Sequence, residues 1–201
     1  MGDKMKIKVG VSNRHVHLTK EVYFGLFGKS ELEKSRDLDQ PGQFASTSYV
    51  TIKKGDRQIE KVRVLGPFRN YNQVEISRTD AYKLKVNPPV RDSGDLEGSE
   101  SITLIGPNGS VDLSSGLILA KRHIHITPED MHKYGFEGMK KVAVLIKGEK
   151  GGIIDNVYFK VLDVASLALH LDTDEGNAFN LKTGDEVVLI KSLEDENETT
   201  K

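Results

Sequence analysis

Apolar residues along the chain occur mainly in short runs rich in Val, Ile and Leu, and Gly, Asn and Asp separate these runs. Examples are KIKVGV, YVTIKKGDRQIEKVRVL, SITLIGPNGSVDLSSGLIL, KVAVLIKGEKGGIIDNVYFKVLD and DEVVLIKS. Runs of this kind predict β-strands, and the segments KKGDR and GPNGS predict hairpin turns. Short strands at this density favour β-barrels or sandwiches over a doubly wound parallel sheet.

Helices are predicted to be few and short. The clearest has Thr127 as its N-cap and Pro128 at its first position, acidic residues follow, and Gly135 can end it. A weaker copy of this pattern runs from Thr19 to Gly28. The polar, charged segment SLEDENETTK predicts a frayed tail.

The motif R-H-x-H occurs twice, in VSNRHVHLT and in LAKRHIHIT, and the two copies contain four of the six histidines. The first histidines, His15 and His123, are 108 residues apart, and so are the second histidines, His17 and His125. Each motif ends in the threonine that precedes a predicted helix. We interpret the two motifs as an internal duplication, or at least as two equivalent structural units.

Both histidines of a motif would point to the same side of a strand, because residues i and i+2 share a face. Val16 and Ile124, which lie between them, would face a core and leave the histidines on a wet face. Two such imidazoles supply most of a zinc site, although iron, nickel and copper also accept this ligand. The alternative is a pair of surface histidines that are exposed or hydrogen-bonded, and the duplication favours the metal.

A catalytic zinc usually has three protein ligands, so each pair needs a partner from elsewhere in the chain. His132 lies inside a predicted helix and is expected at the surface, whereas His170, predicted to lie in a polar loop after an apolar stretch, is the better candidate. Glu75 stands between Val74 and Ile76 and would share a strand with them. An acidic residue in that setting is often only part of a solvated face, so the residues alone leave both candidates open.

One arginine is a candidate anion-binding residue. Gly66 and Pro67 break a strand and place Arg69 in a turn, and a guanidinium group suits bidentate binding of phosphate or carboxylate. Many arginines near turns are merely solvated. Arg14 and Arg122, within the two motifs, would alternate away from the histidines, so Arg69 is the preferred anion-binding candidate.

Composition narrows the classes of function. Lys and Arg number 29 against 30 Asp and Glu, so no basic excess points to nucleic acid. The chain has no cysteine, which excludes disulfides, a thiol nucleophile and zinc–thiolate sites. No apolar run approaches the roughly 18 residues of a membrane span, and no signal peptide is evident. These features predict a cytoplasmic enzyme or binding protein.

Four segments together carry a family resemblance: VGVSNRHVHLT, VRVLGPFRNYNQVEISRTDA, LAKRHIHIT and LHLDTDEGNAF. In combination they resemble the phosphate propanoyltransferase family, the phosphotransacylase of propanediol-degrading bacterial microcompartments. The resemblance runs from about residue 6 to about residue 192. No one of these motifs would be specific alone, but their combination is.

The resemblance implies a mainly β fold of two β-barrel domains with short capping helices, interleaved in sequence. Residues 13–120 would form the central barrel. Residues 1–12 and 121–201 would form the second barrel, which the N-terminal strand completes. That arrangement would bring the two H-x-H strands together, and family members are usually homodimers.

The resemblance also implies the site, which holds two Zn²⁺ ions per chain and binds coenzyme A as a substrate. The ligands of the first ion would be His15, His17 and Glu75, and those of the second His123, His125 and His170. Arg69 would bind phosphate and act in catalysis, and the positions near coenzyme A are Ser12, Arg63, Leu65 and Asn177.

The implied reaction is reversible transfer of a propanoyl or acetyl group, in which acyl-CoA and phosphate give acyl phosphate and CoA. Phosphate would attack the thioester directly, with Arg69 orienting it and zinc acting as a Lewis acid. The alternatives are a metal-dependent hydrolase of a thioester or phosphoester, and a non-catalytic assembly protein with structural metals. The expected location is the cytoplasm or a microcompartment lumen, and no N-terminal targeting helix is evident.

Overall fold

The computed structural model describes residues 5–190, which form fourteen strands and four short helices. The strands are β1 (Lys6–Ser12), β2 (His15–His17), β3 (Lys34–Asp37), β4 (Phe44–Lys54), β5 (Arg57–Gly66), β6 (Gln73–Glu75), β7 (Val90–Arg91), β8 (Glu100–Gly106), β9 (Gly109–Ala120), β10 (His123–Ile126), β11 (Lys141–Ile146), β12 (Gly152–Val161), β13 (Ala168–Asp172) and β14 (Glu186–Ile190). The helices are α1 (Lys20–Phe27), α2 (Arg78–Leu84), α3 (Pro128–Lys133) and α4 (Thr173–Ala178). The prediction of a mainly β fold is confirmed, and the predicted frayed tail lies outside the described residues.

The chain divides into two compact units, and Asn13–Ala120 forms the central one. Its strands pair in the order β4, β5, β2, β6, β9 and β8, and β8 pairs again with β4, so the six strands close into a barrel. The short strands β3 and β7 add to β4 and β9. A closed ring leaves the six barrel strands without a free edge.

The second unit contains the residues before Asn13 and those from Lys121 onward. Its six strands close in the order β1, β13, β10, β12, β11 and β14. The N-terminal strand β1 runs parallel to β13 and antiparallel to β14, and so completes a barrel whose other strands come from the end of the chain. The predicted pair of interleaved barrels is therefore confirmed.

The two barrels repeat the same strand pairing around the H-x-H motif. In the central barrel β2 lies between a parallel neighbour, β5, and an antiparallel neighbour, β6. In the second barrel β10 lies between a parallel neighbour, β12, and an antiparallel neighbour, β13. A short helix, α2 or α4, follows the antiparallel neighbour in each case. The duplication seen in the motifs thus extends to the order and direction of the strands.

Both predicted helices are present. Thr19 caps α1 by accepting a hydrogen bond from the backbone N–H of Val22, and Gly28 ends the helix in the left-handed conformation. Thr127 caps α3 by accepting from the N–H of Asp130. The hairpin turns β4–β5 and β8–β9 fall at the two predicted segments.

Two helices, α2 and α4, are absent from the sequence prediction. Ser77 caps α2 by accepting from the N–H of Asp80. Asp172 and Glu175 form a capping box at α4, in which each side chain accepts from the backbone of the other. Among residues 5–190 no helix has the length and apolar character needed to span a membrane.

The alternation within the H-x-H strands separates core residues from histidines. Val16 and Ile124 are fully buried in the cores of the central and second barrels, as predicted. The prediction that the histidines lie on a solvent-exposed face is wrong, since His15, His17 and His125 are only 8%, 4% and 6% exposed. These rings pack against other histidine rings and against the neighbouring strands, which excludes freely exposed surface histidines.

Candidate metal centres

The central barrel brings two histidines and a carboxylate together. Strand β2 presents His15 and His17 on one face, and the antiparallel register places Glu75 of β6 directly opposite His15. The Nε2 atom of His15 lies 3.4 Å from Oε2 of Glu75. One ligand atom from each of the three residues lies within 4.8 Å of the others. The three side chains are therefore close enough to share a single metal ion.

The second barrel brings three histidines together by the same pairing. His123 and His125 share a face of β10, and His170 of β13 lies opposite His123. The ring of His170 stacks on that of His123 and lies 4.4 Å, centroid to centroid, from that of His125. Their ligand atoms also lie within 4.8 Å of one another. The predicted loop position of His170 is wrong, because pairing with β1 and β10 makes this segment a strand.

The first histidine of each motif has a defined tautomer. Nδ1 of His15 lies 2.8 Å from the carbonyl oxygen of Asn13, and Nδ1 of His123 lies 2.8 Å from that of Lys121. A carbonyl oxygen only accepts, so Nδ1 carries the hydrogen and the neutral ring keeps its lone pair on Nε2. Metal-binding histidines usually donate their other N–H in this way.

The second barrel favours neutral imidazole at His125. Burial lowers the pKa of His125 to about 2, and the positive charges that His170, His123 and Lys160 can carry add to the effect. Its Nδ1 atom is buried and has no hydrogen-bond partner among the described residues. Clustered neutral nitrogen donors suit a borderline metal ion such as zinc, so the residues present fit the implied group.

The carboxylate of the central barrel is held by a residue that the sequence analysis missed. Gln73 is fully buried, and its amide nitrogen donates to Oε1 of Glu75 at 2.5 Å and to Oγ of Ser93 at 2.8 Å. Its amide oxygen accepts from the N–H of Gly94 at 2.8 Å. The available signal was spacing, since Gln73 stands two residues before Glu75 and shares its strand face.

A glycine faces the third histidine of the second barrel, and this contact was also missed. Gly10 of β1 lies opposite His170 of β13. A Cβ atom added at Gly10 would lie 3.4 Å from Cε1 and Nδ1 of the His170 ring, in van der Waals contact with it. The absence of a side chain at this position therefore fits the position of the ring.

Three of the predicted substrate-binding residues lie in the central barrel. Arg63 and Leu65 of β5 pair in parallel register with His15 and His17. The guanidinium carbon of Arg63 lies 4.4 Å from the ring centroid of Tyr49, and Nη1 donates to the carbonyl oxygen of Ser46. Both residues therefore lie on the strand next to the histidine strand, and their spacing of two residues puts them on one face of β5.

Arg69 follows the end of β5, in the predicted turn. Its backbone N–H donates to the carbonyl oxygen of Leu18 at 2.9 Å, which anchors the turn next to the end of the β2 segment. Its Nε is buried and has no hydrogen-bond partner within residues 5–190. A buried guanidinium N–H without a partner is unfavourable, and an anion could satisfy it.

The other two predicted substrate-binding residues lie in the second barrel. Ser12 is exposed at the end of β1, opposite Asp172, the N-cap of α4. Asn177 is exposed within α4 itself. His132, expected at the surface, is largely exposed, and its Nδ1 atom lies 3.0 Å from Oε1 of Glu137.

The protein contains two six-stranded barrels, and each barrel has three candidate ligand side chains around an H-x-H strand. This arrangement defines a class of β-barrel protein with two candidate metal sites. The model of the phosphate propanoyltransferase family matches residues 8–182. Phosphate propanoyltransferases that resemble the chain come from Thermotoga maritima, Priestia megaterium and Rhodopseudomonas palustris. The Thermotoga protein is 51% identical over 92% of this chain and 89% of its own length. The Priestia protein is 47% identical over 91% of this chain and 85% of its own length. The Rhodopseudomonas protein is 42% identical over 94% of this chain and 84% of its own length. The chain therefore belongs to the phosphate propanoyltransferase family of acyltransferases.

Proposed function

We propose that the chain is a metal-dependent phosphotransacylase that reversibly converts acyl-CoA and phosphate into acyl phosphate and CoA. Membership of the family supports acyl transfer to phosphate. The observation that carries the metal dependence is the presence of two three-ligand clusters at equivalent register positions in the two barrels. The acyl group would be propanoyl or acetyl.

Two zinc ions per chain would be held by the two clusters. The central barrel would use His15, His17 and Glu75, and the second barrel His123, His125 and His170. When bound, such ions supply Lewis acidity that polarises a thioester carbonyl and stabilises a thiolate. The hydrogen bonds from the first histidines to the carbonyl oxygens of Asn13 and Lys121 keep Nε2 available for a ligand role.

The remaining chemistry follows from the side chains of the chain itself. With no cysteine, the chain has no thiol to form an acyl-enzyme. A covalent acyl-enzyme is not required, and we propose that a phosphate oxygen forms the new bond to the acyl carbon while the carbon–sulfur bond breaks and CoA leaves with the electron pair as its thiolate. Arg69 would bind and orient the phosphate through its unpartnered, buried Nε–H.

The residues proposed to contact coenzyme A are Arg63, Leu65, Ser12 and Asn177. In the central barrel, Arg63 offers a cation to a phosphate group of the ligand, and Leu65 offers an apolar surface two residues further along the same face. In the second barrel, the exposed side chains of Ser12 and Asn177 offer polar groups near α4.

Thiol release from propanoyl-CoA tests this proposal directly. Zinc-loaded and chelator-treated protein would be compared in the presence and absence of phosphate, with metal content measured on the same samples. We expect thiol release only with both metal and phosphate. Release without phosphate would identify a thioester hydrolase instead, and bound metal without any release would indicate a structural role.

The assembly and location of the protein are separate proposals. We propose a homodimer, as the family resemblance implies, located in the cytoplasm or in a bacterial microcompartment lumen. Light scattering on the purified chain measures the dimer, and a monomer at micromolar concentration would contradict it. Co-purification with microcompartment shells, in cells that make them, would distinguish the two locations.

A further inference from the structure

The arginine of the R-H-x-H motif forms an ion pair in each barrel. In the central barrel Nη1 of Arg14 lies 2.9 Å from Oδ1 and 3.2 Å from Oδ2 of Asp80. In the second barrel Nε of Arg122 lies 2.9 Å from Oε1 of Glu175. Arg14 and Arg122 are 108 residues apart, as the histidines that follow them are. Neither arginine belongs to a group of candidate ligands.

The acidic partners occupy equivalent positions as well. Asp80 stands five residues after Glu75, and Glu175 stands five residues after His170. Each is the third residue of the short helix that begins after the strand of the third candidate ligand. Two ion pairs between equivalent residues of a duplicated unit indicate a feature of that unit rather than accidental surface contacts.

Each ion pair spans the two strands that contribute ligands. The arginine directly precedes the first histidine, and the acid is fixed to the strand of the third ligand through one helical turn. Glu175 is held twice, since its Oε2 accepts from the backbone N–H of Asp172 at 3.1 Å while Oε1 accepts from Arg122. The third ligand therefore cannot move away from the histidine pair without stretching the ion pair.

The acidic partners of these pairs are more shielded from water than those of ordinary surface ion pairs. The side chain of Asp80 is 8% exposed and that of Glu175 is 22% exposed. Exposed pairs contribute little because water screens them, whereas breaking a buried pair leaves an uncompensated charge. Loss of the arginine would therefore leave a carboxylate that is largely shielded from water without its cation, which favours the paired geometry.

We propose that Arg14 with Asp80, and Arg122 with Glu175, are positioning pairs, each of which sets the spacing of the ligands in its own metal cluster. This inference rests on the metal sites proposed above. Each pair acts on one cluster only, so the effects of substitution are cluster-specific. A lysine in place of the arginine preserves part of the positioning effect, because the carboxylate still has a cationic partner.

Metal binding in single-cluster backgrounds tests the proposal. His125→Ala leaves only the cluster of the central barrel, and His17→Ala leaves only that of the second barrel. In each background Arg14→Met and Arg122→Met would be compared by cobalt(II) absorption and by zinc competition against a chelating dye. We expect Arg14→Met to weaken binding about 10- to 100-fold in the His125→Ala background and Arg122→Met to do so in the His17→Ala background.

The controls separate positioning from general stabilisation. Glu186→Gln breaks the exposed Lys6–Glu186 pair of the second barrel, and Asp37→Asn breaks the exposed Lys34–Asp37 pair of the central barrel. Neither should change metal affinity, and Arg14→Lys should recover part of the loss.

The outcomes are distinct. Lower melting temperature of the metal-free protein with unchanged metal affinity would refute positioning, and so would equal weakening of both clusters by one substitution. Failure of the two single-cluster proteins to bind any metal would refute the proposed metal sites themselves.

Discussion

Gln73→Leu is the substitution that most directly tests how the carboxylate ligand is held. Leucine has a similar size but provides neither the amide hydrogens nor the amide oxygen. The change removes the hydrogen bonds from Gln73 to Glu75 and Ser93, and it leaves the N–H of Gly94 without its acceptor. It acts on the central barrel only, because the equivalent residue two positions before His170 is Ala168.

The expected magnitude follows from these three bonds. Each neutral hydrogen bond contributes about 1 kcal/mol, and the bond to the carboxylate contributes about 2 kcal/mol. Added burial of an apolar side chain offsets part of this loss, so the free energy of unfolding should fall by about 3 kcal/mol. Freed from Gln73, the Glu75 carboxylate can rotate, and loss of such an outer partner typically weakens metal binding about 10- to 100-fold.

Two measurements check this prediction: urea unfolding of the metal-free protein, and zinc competition with a chelating dye. The chain supplies a matched control in Gln58, which donates to Glu60 at 2.9 Å with the same spacing of two residues along a strand. Both residues are exposed, so Gln58→Leu should change stability by less than about 0.5 kcal/mol. If the two variants unfold alike and bind zinc alike, Gln73 does not hold Glu75. A stability loss without any change in zinc affinity would make Gln73 a purely structural residue.

Three further predictions address phosphate binding, helix packing and acid stability. Arg69→Ala should raise the KM for phosphate about 10- to 100-fold in the thiol-release assay, because it removes a charged hydrogen-bond donor. Gly25→Ala should raise the free energy of unfolding, measured in urea, by about 0.5 to 1 kcal/mol, because alanine has a higher helix propensity than glycine in the interior of α1. The added Cβ has room, since its nearest atom would be Cγ2 of Val111 at 3.8 Å. The metal-free protein should lose stability as pH falls below 6.5, and His125 should contribute at most about 1.4 kcal/mol per pH unit to this loss. Because the pKa of His125 is lowered in the folded protein, the unfolded chain binds a proton at this residue in a pH range where the folded chain does not.

Matched variants sharpen these three predictions. Arg36 is exposed on β3, so Arg36→Ala should leave the KM for phosphate unchanged, and an equal effect would contradict the role of Arg69. Gly106→Ala should destabilise the protein, since its Cβ would lie 2.4 Å from the carbonyl oxygen of Leu26. His125→Gln should reduce the acid sensitivity and His132→Gln should not, and the reverse would contradict the assignment.

The features that were predictable from sequence depend on neighbouring residues. Two-residue alternation placed Val16 in the core, and Thr19 and Thr127 capped helices where an oxygen side chain precedes a helical pattern. Alternation and capping act over two to four residues, so the sequence displays them directly. The capping signal at Asp172 was equally local and could have predicted α4.

The features that were missed depend on pairing between distant residues. His170 occupies a five-residue strand that exists because β1 and β10 flank it, and the sequence around it reads as a polar loop. Gln73 owes its role to Ser93 and Gly94, some twenty residues away. Spacing alone left Glu75 and His170 as open candidates for the third ligands, and only the family resemblance selected them.

The sequence repeat and the compact units do not coincide, and the strand connections explain why. The repeat of 108 residues aligns the end of β1 at Ser12 with the end of β9 at Ala120, and an H-x-H strand follows each. Yet β1 closes the second barrel while β2 belongs to the central one, and β9 closes the central barrel while β10 belongs to the second. The first strand of each repeat therefore belongs to a different barrel from the H-x-H strand that follows it. A cut between repeats, before β9, would remove a strand from each barrel, so neither half should fold alone.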